Sequence, residues 1–568
     1  MSLASALAQD LLALGVEQAF GVSGGAMALL WHAMSASRLR VHHFRHESGA
    51  AFAATEAFFA TGRPVLLFTT TGPGLTNALT GLLAARDEGA KLIVVSACTS
   101  AATRGRFAIQ ESGAHTLPRG LYERGPLFHF AHRLDNAHEW PEVARDLARG
   151  LARQQGFIAH VAVPTALQSV AVDRRPVERI TTVRNAAPSP ATVQACLRAL
   201  VDDPFALWVG FGAGGAVGEI QALLERSGVA VFCTPRGKGI VAETHPQFIG
   251  VSGIGGHESV PQWVAEQAPA RILVLGSRLG EASSLFDPRF VPRRGFVHVD
   301  LDPEVPGRAF PEAITLPVVA DVAALLRELL SLLPARSAMP PALPASAARP
   351  APRTVDGERV HPAALMAAIQ RRVIDDSEAI VFAESGNAFV WATHCLRFAA
   401  PGRYRASTGV GAMGHAAAGV VGAALAARRR AVALVGDGAM LMQNEISTAV
   451  KYAAPATWVV LNDGRYGMCE QGMGMLGLVA DARFAEVDFV AFARAQGADG
   501  VRVGHADELD AALRRALRAD GPFVVDVLID TGALAPANSR NRGLARQLAT
   551  SSGGEISFPA HSTAPSSA

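Results

Sequence analysis

The stretch VALVGDGAMLMQNEISTAVKYAAPATWVVLNDGRYGM, residues 432–468, decides the architecture. An apolar, β-branched run breaks at Gly436-Asp437-Gly438, a helical segment follows, and a second apolar run breaks at Asn462-Asp463-Gly464. Uninterrupted apolar strands joined by a helix indicate a parallel sheet covered on both faces. Ligands of such sheets collect beyond the carboxyl ends of the strands. Glycines there let the backbone approach a phosphate, and the helix start offers unpaired N–H groups and the positive end of a dipole. Asp437 and a side-chain oxygen at the second strand end can hold one hard cation between them, and that cation would bridge to a diphosphate. GDG alone is a common turn, so the segment needs support from the rest of the chain.

The same grammar recurs outward in both directions. PVLLFTT (64–70) and KLIVVSA (91–97) read as buried strands, as do FALWVGF, VAVFCT, RILVLGS and GFVHVDL in the middle of the chain. AIVFAES and PFVVDVLI flank the opening stretch. A polar, proline-containing junction (about 174–190) and an Ala/Pro-rich linker separate three blocks. The expected organisation is an α/β chain of three doubly wound parallel-sheet domains: 1–173, 188–333 and 357–533, with a linker at 334–356 and a Ser/Ala/Pro-rich tail at 534–568.

Composition narrows the function classes. Apolar residues make up 49% of the 568, enough for several cores, and the formal net charge of +2 gives no reason to expect a polyanionic partner. No basic run with interleaved aromatics suggests nucleic acid. The five cysteines are scattered outside any CxxC pair, so neither a disulfide framework nor a zinc site is indicated. The N-terminus reads as an amphipathic helix, and the apolar stretch 416–427 is too short to cross a bilayer. These features suggest a cytoplasmic protein that does not engage a membrane.

Two further segments carry chemistry. HFRHESGAAFAATEAFFATGRPVLLFTTTGPGLTNALTG (43–81) places Glu47 after a short strand and a TGPG turn after the next one. AESGNAFVW (383–391) is followed by STGVGAMGHAAAG (407–419). Together with 432–468, in this order and spacing, they resemble the thiamine diphosphate (ThDP) enzyme superfamily, and in particular its acetolactate synthase-like group. The resemblance spans roughly residues 5–530.

The resemblance implies a pyrimidine-binding N-terminal domain, a central Rossmann-like domain and a C-terminal diphosphate-binding domain. It implies ThDP and Mg2+ as cofactors. The metal ligands would be Asp437, Asp463 and the Arg465 carbonyl; Asp463 stands where the family has Asn, and Asn462 is the alternative. Glu47 would hydrogen-bond N1′ of the aminopyrimidine, and burial would suit it to carry the proton there. Gly72, Pro73, Asn77, Ser385, Gly386, Asn387, Ala388, Gly436, Gly438, Ala439, Tyr466, Gly467 and Met468 would surround the cofactor. The Gly411 carbonyl would face the 4′-amino group, and Met413 would sit under the bent cofactor and bring its two rings together. Gln110 matches a family glutamine near the reacting centre. Ser23, Gly24, Gly25, His115, Cys469 and Gly472 are candidate substrate residues. Relatives form active sites between subunits, which implies a homodimer or homotetramer.

The central segment Gly210-Phe211-Gly212-Ala213-Gly214-Gly215 matches GxGxxG, but no acidic residue follows at ribose-reading distance, so a structural turn is the preferred expectation. TPRGKGIVAETHP (234–246) and GIGGH (253–257) match the family's central domain, which in relatives holds FAD, an ADP-like group or nothing; FAD stays open here. His42 and His43 alternate on a strand and point to opposite faces, against a metal cluster.

Two departures concern the acceptor. The family arginine that grips its carboxylate falls on Ala282, and the tryptophan that shapes its pocket falls on Gly472. Loss of a guanidinium clamp weakens an anionic acceptor. The function expected is decarboxylation of a 2-oxo acid with carboligation of the remaining fragment to a carbonyl acceptor other than pyruvate or 2-oxobutyrate. A simple decarboxylase or aldehyde lyase is the alternative. A non-catalytic, cofactor-binding regulatory subunit is a further one, against which Glu47, Asp437 and Met413 together argue.

Overall fold

The computed structural model describes residues 1–113, 115–173, 176–180, 187–201, 204–333, 343, 359–479, 481–536, 541 and 543. The expected linker lies almost wholly outside these residues, as do parts of the polar junction and most of the tail. Among the described residues, eighteen strands form three six-stranded sheets in which every strand pair is parallel. The N-terminal sheet contains β1 (Gln18–Val22), β2 (Arg40–His43), β3 (Val65–Thr69), β4 (Lys91–Cys98), β5 (Phe130–Arg133) and β6 (Phe157–Pro164). The central sheet contains β7 (Phe205–Val209), β8 (Val231–Cys233), β9 (Phe248–Val251), β10 (Arg271–Leu275), β11 (Phe296–Asp300) and β12 (Thr315–Val319). The C-terminal sheet contains β13 (Ile380–Ala383), β14 (Tyr404–Ala406), β15 (Ala431–Gly436), β16 (Ala456–Asn462), β17 (Asp499–Val503) and β18 (Phe523–Leu528). Among the described residues, no helix is long and apolar enough to cross a membrane.

The strand orders position the sites. The first and third sheets share one order, β2-β1-β3-β4-β6-β5 and β14-β13-β15-β16-β18-β17, so the C-terminal domain repeats the topology of the N-terminal one. Their direction of winding reverses between β1 and β3 and between β13 and β15, where ligand crevices open in such sheets. The central order, β12-β11-β10-β7-β8-β9, is that of a dinucleotide-type sheet and reverses between β7 and β10. There the glycines serve close approach: a Cβ on Gly210 would lie 2.5 Å from the Gly276 carbonyl oxygen.

Helices Glu47–Thr61 and His415–Ala427 follow β2 and β14, equivalent positions in the two matching sheets, and they pack against each other. Their sequences explain how. Ala50, Ala51, Ala53, Ala54 and Ala57 on one, and Ala416, Ala417, Ala423 and Ala424 on the other, are buried small residues of one core. A Cβ on Gly422 would lie 2.0 Å from the Ala53 carbonyl oxygen, so the backbones meet where only glycine fits. Gly62, with φ 69°, ends the first helix in the left-handed region.

A buried charge cluster ties the three domains together. Arg405 makes a two-pronged contact with Glu56 (2.8 and 3.0 Å), and His415 reaches the same carboxylate at 2.8 Å. Arg236 of the central domain pairs with Glu88 and lies over the Phe211 ring, while Arg405 lies over Phe59. Burial alone would raise the Glu56 carboxyl, but Arg405 and His415 hold it at about 2.

Candidate active site

Two half-sites lie at the two matching crevices. In the C-terminal half, Asp437 opens a short helix directly after β15, is buried, and accepts backbone N–H bonds from Gly438 (2.8 Å), Asp463 (3.1 Å) and Gly464 (2.6 Å). Adjacent β15 and β16 thereby hold Asp437 and Asp463 together. Burial first, and the neighbouring Asp437 charge second, push the Asp463 carboxyl up to about 7. Two hard oxygen donors that repel one another fit a divalent cation such as Mg2+. Asn462 is turned elsewhere: its amide donates to Asp526 (2.8 Å) and to the Val487 carbonyl. Arg465 extends from the same turn and pairs with Glu470.

The cradle around this pair lacks side chains where a diphosphate would lie. Gly436 has open space where a Cβ would be, a Cβ on Gly438 would meet the Tyr466 ring at 2.7 Å, and one on Gly467 would meet Asp463 at 2.8 Å. The Asn387 side-chain oxygen is buried with no hydrogen-bond partner among the described residues, at the start of the helix that follows Ser385 and Gly386. Ala388 and Ala439 are buried, and Met468 packs on the core that contains Ala388. Ser385 Oγ donates to the Gly411 carbonyl at 2.9 Å. The Met413 methyl approaches the place of a Gly438 Cβ to 3.6 Å, so Gly411, Met413 and Gly438 share one wall.

The N-terminal half gathers Glu47, Asn77, Thr71, Gly72 and Gln110. Glu47 is the first residue of its helix and buried, and accepts from the Asn77 amide at 3.1 Å. Thr71 Oγ1 donates to the Gln110 side chain at 3.1 Å. Gly72, with φ 54°, starts the short Pro73–Asn77 helix, and a Cβ there would lie 2.9 Å from the Gln110 carbonyl oxygen. Gly24 and Gly25 follow β1 across the crevice, beside Ser23; a Gly24 Cβ would strike Thr70. His115 and Cys469 are exposed, and among the described residues His115 makes no side-chain hydrogen bond. His42 stacks on Phe20 while His43 packs on Trp31 and Phe68, on opposite faces as strand alternation requires.

Several residues had no signal in the sequence. The Glu445 carboxylate, from the C-terminal domain, accepts the backbone N–H groups of Arg45 and His46 at 3.2 Å, immediately before Glu47. Burial pushes it up to about 7. Gln443 donates to Ser48 Oγ at 2.8 Å and so joins the two domains beside the same turn. Glu384 accepts from Ser385, Ala416 and Ala417, which locks the Ser385 turn to the loop carrying Gly411 and Met413. These contacts bridge up to 400 residues of chain, and no local pattern announces them.

A cleft of about 980 Å3 runs from Asp300 and Asp302 of the central domain, past Arg278 and Ala282, to Gly411. Arg278 crosses it to grip Asp87 with both guanidinium nitrogens.

Three family models match the chain: the N-terminal TPP binding domain of thiamine pyrophosphate enzymes over residues 1–117, their central domain over 204–329, and their C-terminal TPP binding domain over 384–527. The chain is 32% identical over 512 residues to a Mycobacterium tuberculosis protein provisionally named as an acetolactate synthase large subunit, covering 86% of this chain and 90% of that one. It is 26% identical over 533 residues to the Escherichia coli acetolactate synthase isozyme 2 large subunit, with 92% and 94% covered. It is also 26% identical over 569 residues to the Corynebacterium glutamicum acetolactate synthase large subunit, with 94% and 87% covered.

Proposed function

The chain belongs to the thiamine pyrophosphate enzyme family, in its acetolactate synthase-like group, and from that premise we propose that it decarboxylates a 2-oxo acid and joins the remaining fragment to an acceptor carbonyl. The observation that carries this is the pairing of two carboxylates, buried Asp437 and half-buried Asp463, on adjacent strand ends beside a glycine-lined cradle. ThDP, when bound, supplies the nucleophilic carbon and the electron sink that decarboxylation needs.

The chain's own residues do the rest. Asp437, Asp463 and the Arg465 carbonyl would hold Mg2+ and through it the diphosphate, with open space at Gly436, while glycine at 438 and 467 lets Tyr466 and Asp463 approach the backbone closely. Met413 would support the fold of the cofactor between its rings. The Gly411 carbonyl has a second lone pair besides the one used by Ser385 and would accept from the 4′-amino group. Glu47 would hold a proton at N1′, with Asn77 orienting its carboxyl from the side. Gln110, anchored by Thr71, would face the reacting centre. The two half-sites belong to different crevices, which supports an active site completed by a second copy, as a homodimer or homotetramer. Ala282 and Gly472 support an acceptor other than the 2-oxo acids that an arginine clamp would take.

The test is CO2 release and mass-spectrometric product analysis over a panel of 2-oxo acids, with ThDP and Mg2+, with and without added aldehydes and ketones. Ligated products that appear only with an acceptor are expected. Aldehyde alone in every arm would convert the function to simple decarboxylation, and absence of CO2 from every donor would refute both.

A further inference from the structure

Two positions where a charged clamp and a bulky ring would restrict the acceptor, Ala282 and Gly472, are joined by two residues from the far C-terminal part of the chain. Gly472 lies on the Gly467–Met475 helix, which begins beside Asp463 and Tyr466. The space above it is taken by the buried side chain of Asn541: a Cβ on Gly472 would lie 3.0 Å from its Oδ1 and 3.2 Å from its Nδ2. Gly543, two residues on, places its own would-be Cβ 4.0 Å from Glu281 Oε1. Glu281 starts the short Glu281–Ser284 helix that carries Ala282. Among the described residues, its Oε1 is buried without a hydrogen-bond partner. Glu281, Ala282 and Gly411 line the same cleft.

We propose that Asn541 and Glu281 determine the acceptor, and that the acceptor is a neutral, hydroxylated aldehyde or ketone. This rests on the ligase function proposed above. The chemistry of the two side chains selects for it. An unpartnered carboxylate oxygen accepts an O–H and repels a second carboxylate. A carboxamide both donates and accepts, and so takes a hydroxyl or a carbonyl equally well. With Ala282 no cation is supplied at that position to offset Glu281, so a 2-oxo acid acceptor would meet like charge. Glycine at 472 makes room for this arrangement, because a Cβ there would already press on Asn541 at 3.0 Å.

The experiment uses the full chain with ThDP, Mg2+ and the 2-oxo acid that releases CO2 fastest. Ligation is measured with glyceraldehyde (neutral, hydroxylated), propanal (neutral, no hydroxyl) and 2-oxobutyrate (anionic) as competing acceptors. Glyceraldehyde is expected to be preferred over both. Asn541→Ala and Glu281→Ala should each reduce the glyceraldehyde-over-propanal ratio by about 10-fold, since a site built to bind a hydroxyl loses its discrimination when the partner is removed. Ala282→Arg should supply a cation to the cleft and raise the share of 2-oxobutyrate product, and it keeps the proposal testable if either alanine variant fails to fold. Ligation with acceptor ratios unchanged in all three variants would overturn the proposal and leave the ligase function standing. CO2 release with no ligated product in any arm would refute the ligase function and the proposal with it.

Discussion

Replacing Gly422 with alanine sets two opposing effects against each other. In an isolated helix the change is favourable by about 1 kcal/mol, because glycine loses more backbone freedom on folding. In this protein the added methyl would lie 2.0 Å from the carbonyl oxygen, 2.5 Å from the carbonyl carbon and 2.6 Å from the Cα of Ala53, where real Cβ contacts do not fall below 3.0 Å. The clash is with backbone, which cannot rotate away, so helices Glu47–Thr61 and His415–Ala427 must part by about 1 Å in a core packed at crystal density. Overpacking of this kind costs about 1–3 kcal/mol, so it cancels the helix-propensity gain at the least and leaves a net loss of about 2 kcal/mol at the most. Function should suffer more than stability, because Glu47 begins the displaced helix and a misplacement of about 1 Å can cost about 100-fold in rate. Urea unfolding and steady-state CO2 release on the same preparation give both numbers. A Gly422→Ala protein that is more stable than wild type and fully active would show that the helices do not meet as described.

Glu56 and Glu445 predict opposite pH slopes of stability. Glu56 is held at about 2, below its ordinary 4.5, so its contribution is present above pH 4.5 and lost as pH falls towards 2; Glu56→Gln should remove that acid limb, read by denaturation at pH 3 and 6. Glu445, raised to about 7, acts in reverse: its contribution is full below pH 4.5 and lost as pH climbs through 7, so Glu445→Gln should flatten stability between pH 5 and 8. The same variant keeps one acceptor for the Arg45 and His46 N–H groups, so Glu445→Ala should lower CO2 release further than Glu445→Gln does. Asp437→Ala should abolish Mg2+-dependent ThDP binding in calorimetry, because it removes a metal donor and leaves the N–H groups of Asp463 and Gly464 without their acceptor.

The sheets were legible where strands are long and apolar. ALVG at 433–436, WVVL at 458–461 and LIVV at 92–95 announce themselves by continuous apolar side chains. The strands that sequence patterning did not single out include short edge strands such as β5 (FAHR) and β14 (YRA), where polar residues interrupt the run and pairing supplies the order. Strand β6 was hidden by His160, which is buried because its ring bonds Ser96 and the Leu121 carbonyl. The repeat of one topology in the first and third domains left no visible sequence trace, because a parallel fold constrains burial patterns more than residue identities. At the site, Asp437 and an oxygen donor at the end of β16 were proposed from their place just after strands, whereas Glu47, and Asp463 as that donor, were singled out only by the resemblance to the family. Glu384, Gln443, Glu445 and Asn541 were not, because each acts through a contact with chain far away in sequence.

The most direct test of the proposed chemistry is the rate at which deuterium replaces hydrogen at the thiazolium C2 of bound ThDP, followed by NMR after acid quench, in wild type and Glu47→Gln. If Glu47 holds the proton at N1′, the variant should bind ThDP and Mg2+ yet exchange at least about 100-fold more slowly, the scale of a lost general acid–base contribution. A Glu47→Gln protein that exchanges C2 as fast as wild type would contradict the assignment of Glu47.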